Sequence, residues 1–102
     1  MPRTSTQKAA EFIAELKPFT TNGALSGVWR GNDYLVLSYT TPIAAVNPDA
    51  GTAYLNRAKY SVTTSNHQTR AGYGLRDHNP ERITDPAEFT RLTGYHVRKT
   101  TR

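Results

Sequence analysis

The densest group of side chains that could do chemistry lies between residues 63 and 68 and combines hydroxyls, an imidazole and an amide: Thr63, Thr64, Ser65, His67 and Gln68. At the start of a helix, such groups can surround a phosphate or another anion together with the backbone amides of the first turn. A structural explanation is also available, because Ser65 and Gln68 fit the capping pattern S-x-x-Q with Ser65 as the N-cap. His67 would then be a buried histidine packed on a sheet. We favour this explanation, since capping accounts for Ser65 and Gln68 without a ligand.

Neither catalysis nor metal binding has a recognisable motif in this sequence. His67 as a general base would need a nucleophile and an orienting carboxylate; Ser61 and Asp33 are available, but no motif connects them. His67, His78 and His96 are spaced more widely than one helical turn, and the chain contains no cysteine. We therefore expect no catalytic residue, no metal and no cofactor, and a protein that is not an enzyme. A nuclease that uses His67 is kept as a minor alternative.

The excess of positive charge is confined to one half of the chain. The net charge is +5 over 102 residues, and residues 55–102 carry nine basic side chains against four acidic ones. Arginine and lysine interleaved with tyrosine are typical of proteins that bind phosphates and stack on bases. The residues expected to contact phosphates are Lys59, Arg70, Arg76, Arg98 and Lys99. The alternative is a solvated basic face that only keeps a small protein in solution.

A host protein is the competing partner. Trp29 and Arg30 on the first predicted hairpin could anchor such a partner, because tryptophan, tyrosine and arginine dominate interface hot spots. Exposure of Trp29, Tyr34 and Tyr73 would favour this hypothesis. The oligomeric state stays open.

The length of 102 residues predicts one domain, residues 1–102, with ends that fray near 1–4 and 100–102. The longest apolar runs, 34–37 and 43–46, fall far short of the roughly 20 residues that a membrane span needs. The first eight residues lack the apolar segment of a signal peptide. We therefore expect a cytoplasmic protein with no membrane partner.

The first predicted element is indicated by apolar residues at helical spacing, namely Ala9, Phe12, Ile13 and Leu16. They predict an amphipathic helix over residues 5–16 that Pro18 ends. Strand patterns follow at 25–30, 34–39, 43–46 and 52–56, separated by the turn sequences GND and NPDAG. Pro42 marks an edge, a bulge or a break in this meander.

A short helix is expected after Ser65, and Asp85, Pro86 and Glu88 predict the start of a final helix that Gly94 ends. Residues 75–82 are expected to form a loop, and 95–99 a last strand. The predicted fold class is α+β: an N-terminal amphipathic helix, a three- to four-stranded antiparallel meander, one short helix and one C-terminal helix. The face covered by Phe12 and Leu16 is expected to bury six residues: Leu35, Leu37, Tyr39, Ile43, Tyr54 and Tyr60.

Two phrases resemble small bacteriophage and mobile-element proteins, especially those of actinobacterial hosts, that form a domain of unknown function. Residues 38–44 (SYTTPIA) resemble SYxTPIA, and residues 60–68 (YSVTTSNHQ) resemble YSxTTSxHQ, with Asn66 where such proteins often have lysine. The resemblance covers about a third of the chain and implies a phage-like origin, hence a host-cell cytoplasm, but no activity.

The leading hypothesis is a small α+β binding module that engages nucleic acid, or a nucleic-acid-associated complex, through its basic C-terminal half. The alternative is a host-directed protein that binds and modulates a cellular target.

Overall fold

A computed structural model of the chain describes residues 3–21 and 24–97. In these residues the backbone forms one mixed sheet whose seven strands follow the order of the sequence: β1 Arg3–Thr4, β2 Phe19–Thr21, β3 Leu25–Arg30, β4 Asp33–Ser38, β5 Thr41–Asn47, β6 Thr52–Asn56 and β7 Glu81–Ile83. Three helices accompany it: α1 Ala9–Ala14, α2 Val62–Gly74 and α3 Pro86–Thr93. None of the described helices is both long and apolar enough to cross a bilayer.

The predicted meander of three or four strands is therefore wrong. Strands β2 to β6 do form an antiparallel series, but β1 pairs with β2, and β7 with β6, in parallel. A parallel neighbour requires a crossover connection, which α1 supplies at one edge of the sheet and α2 at the other. The three missed strands are only two or three residues long, so apolar alternation cannot reveal them. Two of them, β2 and β7, lie in segments for which the sequence predicts a linker (near Thr20) and a loop (near Arg82).

The central hairpins agree with the sequence. The strand predicted at Leu25–Arg30 is confirmed, and Gly31 adopts the left-handed φ of 59° that its two-residue loop requires. The strand at Thr52–Asn56 is confirmed as well. Pro42 lies opposite Leu37 and Ala44 opposite Val36, so one extra residue forms a β-bulge beside Pro42. Of the three roles considered for Pro42, the bulge is the one observed.

The first two helices differ from their predicted extents. The N-terminal amphipathic helix expected over residues 5–16 is a six-residue helix, because a turn occupies Ser5–Lys8 and Leu16 has a left-handed φ of 55°. The N-cap of α2 lies four residues before the predicted cap: it is Ser61, whose hydroxyl accepts a hydrogen bond from the amide of Thr64 at 3.1 Å. The Ser65–Gln68 capping box is therefore wrong, and α2 is 13 residues long.

Helix α3 starts and ends where the sequence places it. Asp85 accepts a hydrogen bond from the amide of Ala87 at 3.1 Å, and Gly94 ends the helix with a φ of 81°. Glu88 pairs with Arg91 rather than completing a capping box. The strand predicted from Tyr95 is absent at residues 95–97, and its last two residues lie outside the described part of the chain.

Helices cover both faces of the sheet and give two cores. Helices α1 and α2 pack on one face with a cluster that includes Ile13, Tyr34 and Val36. On the other face, α3 packs through Phe89 against Leu35, Ala45 and Ile83. The α1–α2 contact is close: a β-carbon at Gly74 would lie 2.7 Å from the β-carbon of Ile13, so only glycine fits there.

The predicted core face is wrong for most of its members. Ile43 is fully buried on the α1 side, but Leu35, Leu37 and Tyr54 belong to the α3 side. Tyr39 is 56% exposed at a turn where its φ is 59°, and Tyr60 is half-buried. Alternation assigns neighbouring residues of a strand to opposite faces, and both faces of β4 are buried here, so the pattern could not choose between them.

Candidate functional site

A groove of about 530 Å³ lies between α2 and the β6–β7 edge of the sheet. Three arginines, Arg57, Arg76 and Arg82, line it together with the ring of Tyr73. Gly72 also lines it, above the buried side chain of Leu55. We call this feature the arginine groove. It is larger than the grooves of about 310 and 220 Å³ found elsewhere among the described residues.

The sheet register places two of these arginines on the same side. Arg82 is the parallel partner of Leu55, and Leu55 points towards α2. Arg57 follows Leu55 by two residues and therefore continues on that face. The amide of Arg57 donates to the carbonyl of Ile83 at 2.7 Å, which fixes the backbone at this point. The groove thus depends on the short strand β7, which brings Arg82 beside Arg57.

The third arginine comes from the end of α2. A 3₁₀ turn at Arg76–His78 follows the helix, and Asn79 then adopts a left-handed φ of 53°. Asparagine tolerates this conformation better than most residues. Pro80 and β7 follow, so the chain reverses at the rim of the groove. This reversal brings both Arg76 and Arg82 into the lining of the groove.

The charges that line the groove are only weakly compensated. Within residues 3–21 and 24–97, neither Arg57 nor Arg82 forms an ion pair. Arg76 lies 4.0 Å from Asp77, but both side chains are largely exposed, and such surface pairs contribute little. The groove therefore carries positive charge that acidic side chains offset only weakly.

Tyr73 adds an exposed ring to this positive surface. Its side chain is 59% exposed, and the guanidinium of Arg70 lies 5.8 Å from the ring centre. The Nε atom of Arg70 is buried without a hydrogen-bond partner among the described residues, and the contact with the ring is a cation–π interaction.

The residues expected to bind phosphates are only partly brought together. Arg76 lines the groove, and Arg70 supports Tyr73 beside it. Lys59 is exposed on the connection between β6 and α2 and does not line the groove. Arg98 and Lys99 lie outside the described residues. Sequence reasoning did not select Arg57 and Arg82; alternation beyond Leu55 could have indicated Arg57, but nothing local indicates Arg82.

The structure separates the polar cluster of residues 63–68 into two faces of α2. Thr63 and Ser65 are exposed, whereas Thr64, His67 and Gln68 are buried against the sheet. Ser38 Oγ lies 2.7 Å from Nδ1 of His67 and donates to Oγ1 of Thr64 at 3.1 Å. Burial lowers the pKa of His67 below its ordinary value. These five residues do not form one surface site.

Gln68 attaches α2 to the end of β6. Its amide nitrogen donates to the carbonyls of Asn56 and Ala58 at 2.6 and 2.8 Å. Asn56 is fully buried; it donates to the carbonyl of Pro42 at 3.2 Å and accepts from the amide of Ala58 at 3.0 Å. These buried polar groups are satisfied by one another and stabilise the junction between helix and sheet.

The residues considered for catalysis are not assembled. Asp33 accepts hydrogen bonds from Tyr95 at 2.7 Å and from Asn47 at 3.0 Å. The hydrogen bond that the neutral Tyr95 hydroxyl donates to Asp33 raises the pKa of Tyr95. The hydroxyl nearest to His67 belongs to Ser38, which is fully buried. Among the described residues, no three histidine, aspartate or glutamate side chains are grouped to hold a metal ion.

Comparison with known proteins identifies a family. A family model described as a "Family of unknown function (DUF8033)" matches residues 3–89. This range includes the whole arginine groove and the buried cluster around His67. No curated protein and no solved structure matches the chain.

Proposed function

This chain belongs to the DUF8033 family, and from that starting point we propose that it binds nucleic acid, or a nucleic-acid-associated complex, through the arginine groove. The family description assigns no activity, so the proposal is built on the surface of the molecule. One observation carries it: three guanidinium groups, those of Arg57, Arg76 and Arg82, line a single groove.

The chemistry of these side chains suits phosphates. Arginine presents a planar set of N–H donors that match phosphate oxygens, and it stays charged at any physiological pH. A polyanion that neutralises several arginines releases its bound counterions, so binding weakens steeply as salt is added. The basic C-terminal half of the chain supplies all three arginines, in agreement with its excess of positive charge.

Fluorescence anisotropy of labelled oligonucleotides at about 50 and about 200 mM salt tests the proposal. The double variant Arg57→Ala/Arg82→Ala is expected to weaken binding at least about tenfold and to lower the slope of log affinity against log salt by about two. The matched control is Arg30→Ala/Arg91→Ala, which removes the same charge from the β3–β4 hairpin and from α3.

Three outcomes would contradict the proposal. These are no binding at the lower salt concentration, binding that does not depend on salt, and equal losses in the groove variant and in the matched control. The last outcome would mean that net charge, rather than the groove, attracts the nucleic acid.

A host-directed protein interaction is the second candidate. Trp29 favours it, because the side chain is 43% exposed while its indole N–H donates to the carbonyl of Leu16 at 3.1 Å. Tyr34, whose exposure would also favour a host-protein partner, is fully buried beneath Trp29 and is not available to it. A pull-down from host lysate with the wild type and Trp29→Ala tests this candidate. A signal that nuclease abolishes would eliminate it.

The proposal also includes a phage-like origin, action in the cytoplasm of a host cell, and a role in binding rather than catalysis. The two phrases at residues 38–44 and 60–68 support the origin. The burial of Ser38 and His67 supports the non-enzymatic role, because a substrate cannot reach this pair in the folded chain. Genes for phage functions beside the coding gene would support the origin; a uniformly chromosomal neighbourhood would count against it.

A further inference from the structure

We infer that the arginine groove takes a single strand of nucleic acid, with a base stacked on Tyr73 and phosphates on the arginines. This inference rests on the proposed function and narrows it to one class of ligand. It depends on three observations: the exposed ring of Tyr73, the guanidinium of Arg70 beside that ring, and the space that glycine leaves at position 72.

The ring of Tyr73 is placed for stacking. It lines the groove and is 59% exposed, so more than half of its surface is available to a ligand. Arg70 does not line the groove, yet its guanidinium lies 5.8 Å from the ring centre. Arg70 therefore supports the ring from outside the groove and reduces the entropy that stacking would cost.

Glycine at position 72 keeps the groove open. Gly72 lines the groove and lies in the interior of α2, where glycine costs about 0.5–1 kcal/mol relative to alanine. A β-carbon at Gly72 would lie 3.9 Å from Cδ1 of Leu55, which is itself fully buried, so alanine would fit without strain. The absence of a side chain at Gly72 therefore leaves space in the groove that a flat group such as a base can occupy.

A double helix cannot use these features together. Its bases are stacked on one another, and its outer surface presents phosphates and sugars to a shallow basic groove. A single strand exposes the faces of its bases, and each base stacked on an aromatic side chain contributes about 1–3 kcal/mol. The combination of an exposed tyrosine, the open space at Gly72 and three arginines therefore favours a single strand.

The experiment compares strands that differ only in their bases. Labelled oligo-dT and oligo-U of about 12 nucleotides are titrated beside a duplex of equal length and an abasic deoxyribose-phosphate strand. We expect one of the two single strands to bind at least about tenfold more tightly than both the abasic strand and the duplex. Tyr73→Ala should remove this preference, whereas Tyr73→Phe should retain it.

A variant at Gly72 gives a second measurement with no change in charge. Gly72→Leu places a side chain in the groove, and leucine favours a helix more than glycine does, so the fold should persist. We expect Gly72→Leu to weaken binding of the preferred single strand at least about fivefold. Thermal melting of each variant checks that the fold is retained, and loss of binding with an unchanged melt supports the inference.

The failures are distinguishable. If the abasic strand or the duplex binds as tightly as both single strands and Arg57→Ala/Arg82→Ala still weakens binding, the single-strand inference is wrong and the proposed function stands. If Tyr73→Ala binds like the wild type, stacking is wrong as well. If none of the four ligands binds at about 50 mM salt, the proposed function itself fails.

Discussion

At the scale of single residues, His67 belongs to a group of buried polar side chains that contact one another. It is 4% exposed, its Nδ1 lies 2.7 Å from the hydroxyl of Ser38, and the ring of Tyr39 lies at a centroid distance of 6.4 Å. The hydroxyl of Ser38 donates its hydrogen to Oγ1 of Thr64. Burial lowers the pKa of His67, because the positive imidazolium loses its hydration when it is enclosed.

The lowered pKa of His67 predicts a loss of stability in mild acid. As pH falls through about 6.5, the unfolded chain binds a proton at His67 before the folded chain does. The free energy of unfolding therefore becomes smaller as the pH is lowered. His67→Asn can still pair with Ser38 but cannot titrate. Urea unfolding at several pH values between about 5 and 8 should show a weaker pH dependence for His67→Asn than for the wild type.

His67→Asn and the wild type have the same carboxylates. The difference between their slopes of unfolding free energy against pH therefore comes from the imidazole of His67. Equal slopes for His67→Asn and the wild type would show that His67 does not resist protonation in the folded chain.

At the scale of secondary-structure elements, the start of α2 separates two serines that have the same chemistry but different positions. Ser61 is the N-cap, with an extended ψ of 169°, and its hydroxyl accepts from the amide of Thr64. Ser65 is exposed one turn later, inside the helix. A capping hydroxyl stabilises a helix because it pairs with an amide that has no partner within the helix.

Ser61→Ala is therefore expected to lower the free energy of unfolding by about 1 kcal/mol, whereas Ser65→Ala should change it by less than about 0.5 kcal/mol. Ser61→Asp should retain most of the stability, because aspartate also caps. Denaturant unfolding of the three variants beside the wild type measures these differences. A larger loss for Ser65→Ala than for Ser61→Ala would contradict the observed start of the helix.

At the scale of the whole molecule, one sheet separates two cores. Tyr34 and Val36 point towards α1 and α2, while Leu35 between them points towards α3. The hydroxyl of Tyr34 donates to the carbonyl of Lys17 at 2.7 Å, and burial raises its pKa well above the ordinary value. Because each central strand contributes to both cores, neither core can be lost without disturbing the other.

Phe89→Ala is expected to destabilise the entire sheet. Phe89 is fully buried under α3, and removal of a buried phenylalanine side chain costs about 3–5 kcal/mol. Trp29, the only tryptophan, contacts Tyr34 on the other side and reports unfolding there by fluorescence. The midpoint measured by Trp29 fluorescence should fall together with the midpoint measured by circular dichroism.

The control for Phe89→Ala is Tyr73→Ala, which truncates an exposed aromatic side chain and should move both midpoints only slightly. If Phe89→Ala shifted the circular dichroism transition but left the Trp29 transition in place, the two cores would unfold separately.

Local patterns along the chain are sufficient for several elements. Gly31 identifies the hairpin between β3 and β4, and Asp85, Pro86 and Gly94 define α3, because turn and cap chemistry acts within a few residues. The uneven charge of residues 55–102 is likewise visible in the sequence, although it does not say which side chains meet.

Contacts between distant residues decided the remainder. Arg82 lies beside Arg57 only because β7 pairs with β6, and a three-residue strand carries too little alternation to predict. The faces of Leu35 and Tyr34 could not be assigned, because helices bury both sides of β4. Ser61, rather than Ser65, caps α2 because Thr64, His67 and Gln68 must reach Ser38 and Asn56 on the sheet. The sequence by itself determined the central hairpins, the last helix and the excess of positive charge. Tertiary packing decided which residues lie on each face of the sheet and which arginines line the groove, because both depend on pairings between residues far apart in the chain.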